Sequence, residues 1–77
     1  MILKTATGKE LEVDLCVESG STQRLYVHFP GKTLLEMMVL FGNGDELPFA
    51  EYQEYTVIEK ISTSTTGVNV DLKKQES

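Results

Sequence analysis

Tryptophan is absent from this 77-residue sequence, and cysteine, histidine and proline are scarce, with one, one and two copies. The lone Cys16 has no partner for an intrachain disulfide, and one cysteine with one histidine is too few for a typical zinc site. Neither a structural metal nor a bound cofactor is therefore expected, and the fold must rest on packing, alone or with a partner subunit. Long apolar runs are missing as well. The longest nearly apolar stretch, Leu34 to Phe41, is interrupted by Glu36 and falls far short of the roughly 20 residues needed to cross a bilayer. The N-terminal residues Met1 to Gly8 show no basic stretch leading into an apolar one, so neither a leader nor an anchor is expected, and the expected location is the cytoplasm. Basic residues are the minority, seven against twelve acidic, for a net charge of −5. A polyanion such as nucleic acid would be repelled, so none is expected as a partner.

What is present has a globular balance: 40% hydrophobic and 25% charged residues, unlike the low-hydrophobicity signature of disorder. The length allows one small domain, expected over residues 1–72, with 73–77 a frayed tail. The strongest pattern is Glu10-Leu11-Glu12-Val13-Asp14-Leu15-Cys16-Val17-Glu18, which alternates as a half-buried strand with an acidic outer face. Met1 to Thr5 can pair back on it through Ala6-Thr7-Gly8, setting Leu3 opposite Leu11 and Lys4 opposite Glu10. A third strand, Arg24 to Phe29, turns Leu25, Val27 and Phe29 to one face. Keeping both apolar sets in the core requires paired positions with even sums, an odd-length loop around Ser19 to Thr22, and His28 opposite Glu12 or Asp14.

A fourth strand is expected over Tyr55 to Ile61, its alternation slipping between Val57 and Ile58 as at a β-bulge. A polar turn, Ser62 to Gly67, then leads to a closing strand, Val68 to Leu72. The expected class is α+β, mostly β: five short antiparallel strands (β-β-β-α-β-β) in a curled sheet or partly open barrel with one short helix.

Phe29-Pro30-Gly31-Lys32-Thr33 suggests the end of a phosphate-binding loop. That motif needs a glycine five residues before its Gly-Lys pair, where this chain has Tyr26 inside a strand. Thr33-Leu34-Leu35-Glu36 reads better as a capping box, with Gly42 just past the helix end. No small-molecule ligand is expected there. The helix itself is apolar on nearly every side, through Leu34, Leu35, Met37, Met38, Val39, Leu40 and Phe41. One reading makes it a docking or self-association surface, with Leu34, Met37, Met38 and Phe41 as interaction candidates; the other makes it a core helix wedged across an open barrel, or a misassigned strand.

Cys16 with His28 could suggest a thiol nucleophile, but alternation places both off the core face at a marginal separation, and nothing supplies an oxyanion site. An exposed His28 paired with Asp14 or Glu12 is the expectation. Asn43-Gly44-Asp45-Glu46 does not match a calcium loop and reads as a turn. Glu10, Glu12, Asp14 and Glu18 form an acidic stripe in which Glu12 and Asp14 are candidates for docking a basic surface.

The order of these features, Lys4-Thr5-x-Thr7-Gly8-Lys9 through Val13, then Leu25-Tyr26-Val27, Leu34-Leu35-Glu36 before the apolar helix, Tyr55-Thr56-Val57 and a closing Val-x-Val-x-Leu strand, resembles small uncharacterised proteins encoded in phages and prophages of gut Firmicutes. The resemblance implies a phage-derived accessory or structural protein and favours assembly over catalysis. With the over-apolar helix and the lack of a convergent polar site, the expectation is a non-enzymatic protein in the host cytoplasm or associated with the virion, acting by self-association as a homo-oligomer or by binding a protein partner. The alternative is a small acidic regulator or inhibitor that binds a basic host protein surface.

Overall fold

The computed structural model describes residues 1–42 and 46–75. Six strands and one helix follow in the order β1 (Ile2–Lys4), β2 (Glu10–Glu12), β3 (Leu15–Ser19), β4 (Arg24–Pro30), α1 (Leu34–Phe41), β5 (Tyr55–Ser64) and β6 (Gly67–Lys74). They form a two-stranded sheet, β1-β2, and a four-stranded antiparallel sheet in the order β3-β4-β6-β5, which leaves β3 and β5 as its edges. The expected class holds, mostly β with one short helix, and the sheet does not close into a barrel.

The N-terminal hairpin has the anticipated register, Leu3 opposite Leu11 and Lys4 opposite Glu10. Gly8, at φ +91°, takes the left-handed conformation its loop demands. The long strand expected over Glu10 to Glu18 is instead two strands, one in each sheet, broken at Val13 and Asp14. Val13 stays in the core at 1% exposure. Beyond Asp14 the alternation is inverted, because a strand that skips one residue exchanges its two faces. Leu15 pairs with His28 and Cys16 with Val27, so the even-sum register gives way to an odd-sum one, with a four-residue connection, Gly20 to Gln23. Cys16 now packs on the core, while Leu15 and Val17 are 45% and 49% exposed.

β4 and β6 supply the centre of the core. Leu25, Val27 and Phe29 face Val68, Val70 and Leu72 across the ladder, all with no exposed surface. At the start of β6 a Cβ on Gly67 would lie 2.1 Å from the Phe29 carbonyl oxygen, so this close pairing of the strands requires glycine. The bulge expected near Val57 and Ile58 appears as two register shifts, at Tyr55/Val57 and Ile58/Lys60. β5 and β6 run further than expected, reducing the polar turn to Thr65 and Thr66 and placing Lys73 and Lys74 within β6 rather than in a frayed tail. Their carbonyls and N–H groups have ladder partners in β4 and β5, which keeps them ordered.

The helix occupies the expected residues. Thr33, at φ −105° and ψ 161°, accepts from the Glu36 N–H at 3.2 Å. Only this half of the capping box forms; the Glu36 carboxylate lies 3.9 Å from Lys32 Nζ. Phe41 docks the helix by its ring, 6.2 Å from Phe29 and 6.0 Å from Phe49 between centroids.

Candidate functional site

At about 100° per residue, the buried pair Met37 and Phe41 defines the inward direction of α1, with Leu34 and Leu40 flanking it half-buried. Leu35, Met38 and Val39 fall on the opposite side, with 71%, 54% and 74% of their surface exposed. The helix is therefore neither wholly buried nor wedged into a barrel. Of the four helical interaction candidates, Met38 lies on the open face, Leu34 borders it, and Met37 and Phe41 belong to the core. Leu35 and Val39 complete the face and were not singled out from the sequence. With apolar residues at nearly every position, no periodic signal separates the two sides; only the placement of Met37 and Phe41 does.

The acidic candidates also part company. Glu12 pairs across the hairpin with Ile2 and is exposed, and it takes part in none of the ion pairs among the described residues. Asp14 is engaged: its Oδ1 lies 2.5 Å from Nδ1 of His28. Arg24 balances Glu59 and Asp71 rather than the acidic stripe.

His28 is buried, at 8% exposure, rather than exposed as anticipated. The carboxylate on Nδ1 fixes that nitrogen as a donor, and Nε2 lies within hydrogen-bond distance of the hydroxyls of Thr66 at 3.0 Å and Ser64 at 3.2 Å. Strand β4 presents the ring, the β2–β3 link brings Asp14, and the β5–β6 turn brings the two hydroxyls. With Leu15, Tyr26 and Asn69 they line an open depression of about 340 Å³. The sequence of contacts, hydroxyl to Nε2 and Nδ1 to carboxylate, has the order of a hydrolytic relay. Its detail favours a structural bolt. Two hydroxyls share one nitrogen, and Ser64 Oγ also accepts from the Thr66 N–H at 3.3 Å, a turn contact that accounts for its position without substrate. Cys16 faces the opposite side of the sheet from His28, which separates the thiol from the imidazole.

Two further sets of polar contacts tie the hairpin to the segment after the helix, and that segment and β5 to β3. Glu46 accepts from the Thr5 hydroxyl at 2.6 Å and from the Thr7 hydroxyl, with Lys9 Nζ at 3.3 Å. These bonds, that from Thr5 foremost, hold its carboxyl below the usual range. The rest of the expected turn, Asn43 to Asp45, lies outside the described residues. On the inner side of β3, the Tyr55 hydroxyl donates to Glu18 at 2.7 Å, which pushes its pKa up to about 12. Tyr52 is likewise pushed up to about 12, chiefly by its hydrogen bond with Cys16. Burial raises the Cys16 thiol, the reverse of what activates a nucleophile.

Among the described residues no cluster of three or more His, Cys, Asp or Glu is placed to hold a metal ion, and no helix is long and apolar enough to cross a membrane. The concentration of unpartnered chemistry is thus apolar and lies on the outer sides of α1 and of β3 with β4. Comparison with protein-family models, with curated proteins and with solved structures found no match.

Proposed function

We propose that the protein is a non-enzymatic interaction module that associates with further copies of itself, as an accessory or structural component of a phage or prophage. The observation that carries this reading is the open face of α1. Leu35, Met38 and Val39 are adjacent on one side of the helix and more than half exposed, although the same helix has core positions enough to anchor it. Apolar side chains grouped in this way are costly to leave in water, and paired methionine and branched residues adapt well to a facing surface. A second copy is the simplest occupant, because two identical apolar stripes packed antiparallel about a two-fold axis are complementary without further design. The alternative, an acidic docking face, is weakened by the engagement of Asp14 with His28, which leaves Glu12 and its neighbour Glu10 as its free part.

Light scattering coupled to size exclusion tests the reading. Self-association whose mass Met38→Lys lowers, with an unchanged circular dichroism spectrum, is the expected result. A monodisperse monomer at high concentration, or assembly indifferent to Met38→Lys, would sink it.

A further inference from the structure

The four-stranded sheet has two edges of different character. β5 carries two register shifts within its ten residues, and bulges of that kind disrupt the regular row of N–H and C=O groups that another strand needs. β3 carries none: Leu15 to Ser19 pairs with β4 residue for residue. Among the described residues, no backbone hydrogen bond joins β3 to any segment but β4. The outer face here is also apolar, with Leu15 and Val17 of β3 and Tyr26 of the adjoining β4 at 45%, 49% and 36% exposure.

We infer that β3 is an assembly edge, at which a second copy of this chain adds its own β3 antiparallel about a two-fold axis, giving one continuous eight-stranded sheet. This rests on the self-association proposed above but uses a different surface. The charge pattern of the strand admits a second copy as the occupant and limits its register. A two-fold axis along the sheet normal keeps like faces together, so paired positions must have even sums. Centring on Cys16 would set Asp14 directly opposite Glu18, and centring on Glu18 would set that carboxylate against itself. Like charges directly opposite are destabilising. Centring on Val17 opposes no two charges: Val17 meets Val17, Cys16 meets Glu18, Leu15 meets Ser19 and Asp14 meets Gly20. Because Val17 is already paired with Tyr26 in the sheet, the result is an unbroken apolar row, Tyr26–Val17–Val17–Tyr26, across the axis. Aromatic and β-branched residues are the cross-strand pairs that best stabilise such a ladder. Main-chain bonds would supply the affinity and this row the register.

The test uses the full chain. Residues directly opposite in an antiparallel ladder have Cα atoms about 4.5–5.5 Å apart, within disulfide reach. Val17→Cys in a Cys16→Ser background is expected to form a disulfide-linked dimer on mild oxidation, at least tenfold faster than Lys60→Cys in the same background, which reports on the bulged edge. Equal rates would overturn the inference. Mass measurement separates it from the helix contact. Two distinct two-fold contacts build assemblies larger than a dimer, so Val17→Lys and Met38→Lys should each leave a dimer and the double variant a monomer. If Val17→Lys leaves the wild-type mass unchanged, the β3 edge is not an interface while the helix reading stands. If Met38→Lys alone is without effect and Val17→Lys gives monomer, the helix reading falls and this one stands. A wild-type monomer would remove both.

Discussion

Removing the ring of Phe41 should cost this domain a large share of its stability. The ring is 4% exposed and sits between Phe29, at 6.2 Å and 53°, and Phe49, at 6.0 Å and 84°. It is the point at which the helix and the segment after it are pinned to the sheet. A buried Phe→Ala change removes transfer energy and leaves a cavity, together about 3–5 kcal/mol. A domain of this length is stable by about 4–12 kcal/mol, from the usual per-residue range, so Phe41→Ala should bring it close to unfolding at room temperature. Phe41→Leu retains most of the volume and isolates the loss of two tilted or edge-to-face aromatic contacts, about 0.5–1.5 kcal/mol each.

Urea titrations followed by circular dichroism, at dilute protein, read these losses directly. The internal control is the helix itself. Met37→Ala should cost about 2–5 kcal/mol, whereas Met38→Ala, one residue on and half exposed, should lie within about 0.5 kcal/mol of wild type. Equal costs for the two methionines, or a Phe41→Ala loss below about 1 kcal/mol, would refute the orientation of the helix. The outward placement of Leu35, Met38 and Val39 would go with it.

The remaining predictions concern the polar contacts. Glu46 has its carboxyl pKa lowered in the folded state by the Thr5 and Thr7 hydroxyls and by Lys9. A group depressed in this way contributes stability above its ordinary pKa of 4.5, and loses it as pH falls through the folded value. Glu46→Gln should therefore lower the urea midpoint near neutral pH and converge with wild type in acid; parallel curves from neutral pH down to about pH 3 would contradict the contact. Tyr55 behaves in the opposite sense. Its hydroxyl donates to Glu18 and its pKa is raised from 10.0 to about 12, so its contribution is complete below pH 10 and is lost as the hydroxyl ionises towards pH 12. Ultraviolet titration of tyrosinate should show this late ionisation, and Glu18→Gln should move one tyrosine back towards the ordinary value; an unchanged titration would exclude the Tyr55–Glu18 bond.

Local chemistry determined much of this protein. The register of the first hairpin follows from Gly8 and the matched spacing of Leu3 and Leu11, and the helix boundaries from Thr33 and Gly42. Likewise, the core faces of β4 and β6 follow from strict alternation, and the bulged region of β5 from its slip. Each of these is a short-range signal that neighbouring residues suffice to write.

The tertiary structure decided the rest. The alternation from Glu10 to Glu18 runs on without a break in the sequence, yet the chain changes sheets at Asp14, where the carboxylate meets His28. That single irregularity inverts the strand beyond it. It turns Cys16 towards the core and Leu15 and Val17 outward, and converts an apparent core set into part of an exposed apolar face. The helix gives the same lesson from the other side. Apolar residues all round it carry no direction of their own, and only the aromatic contacts of Phe41 with Phe29 and Phe49 determine which of them face water. Period and composition state what a segment can bury, but which face is left for a partner depends on contacts between residues far apart in the chain.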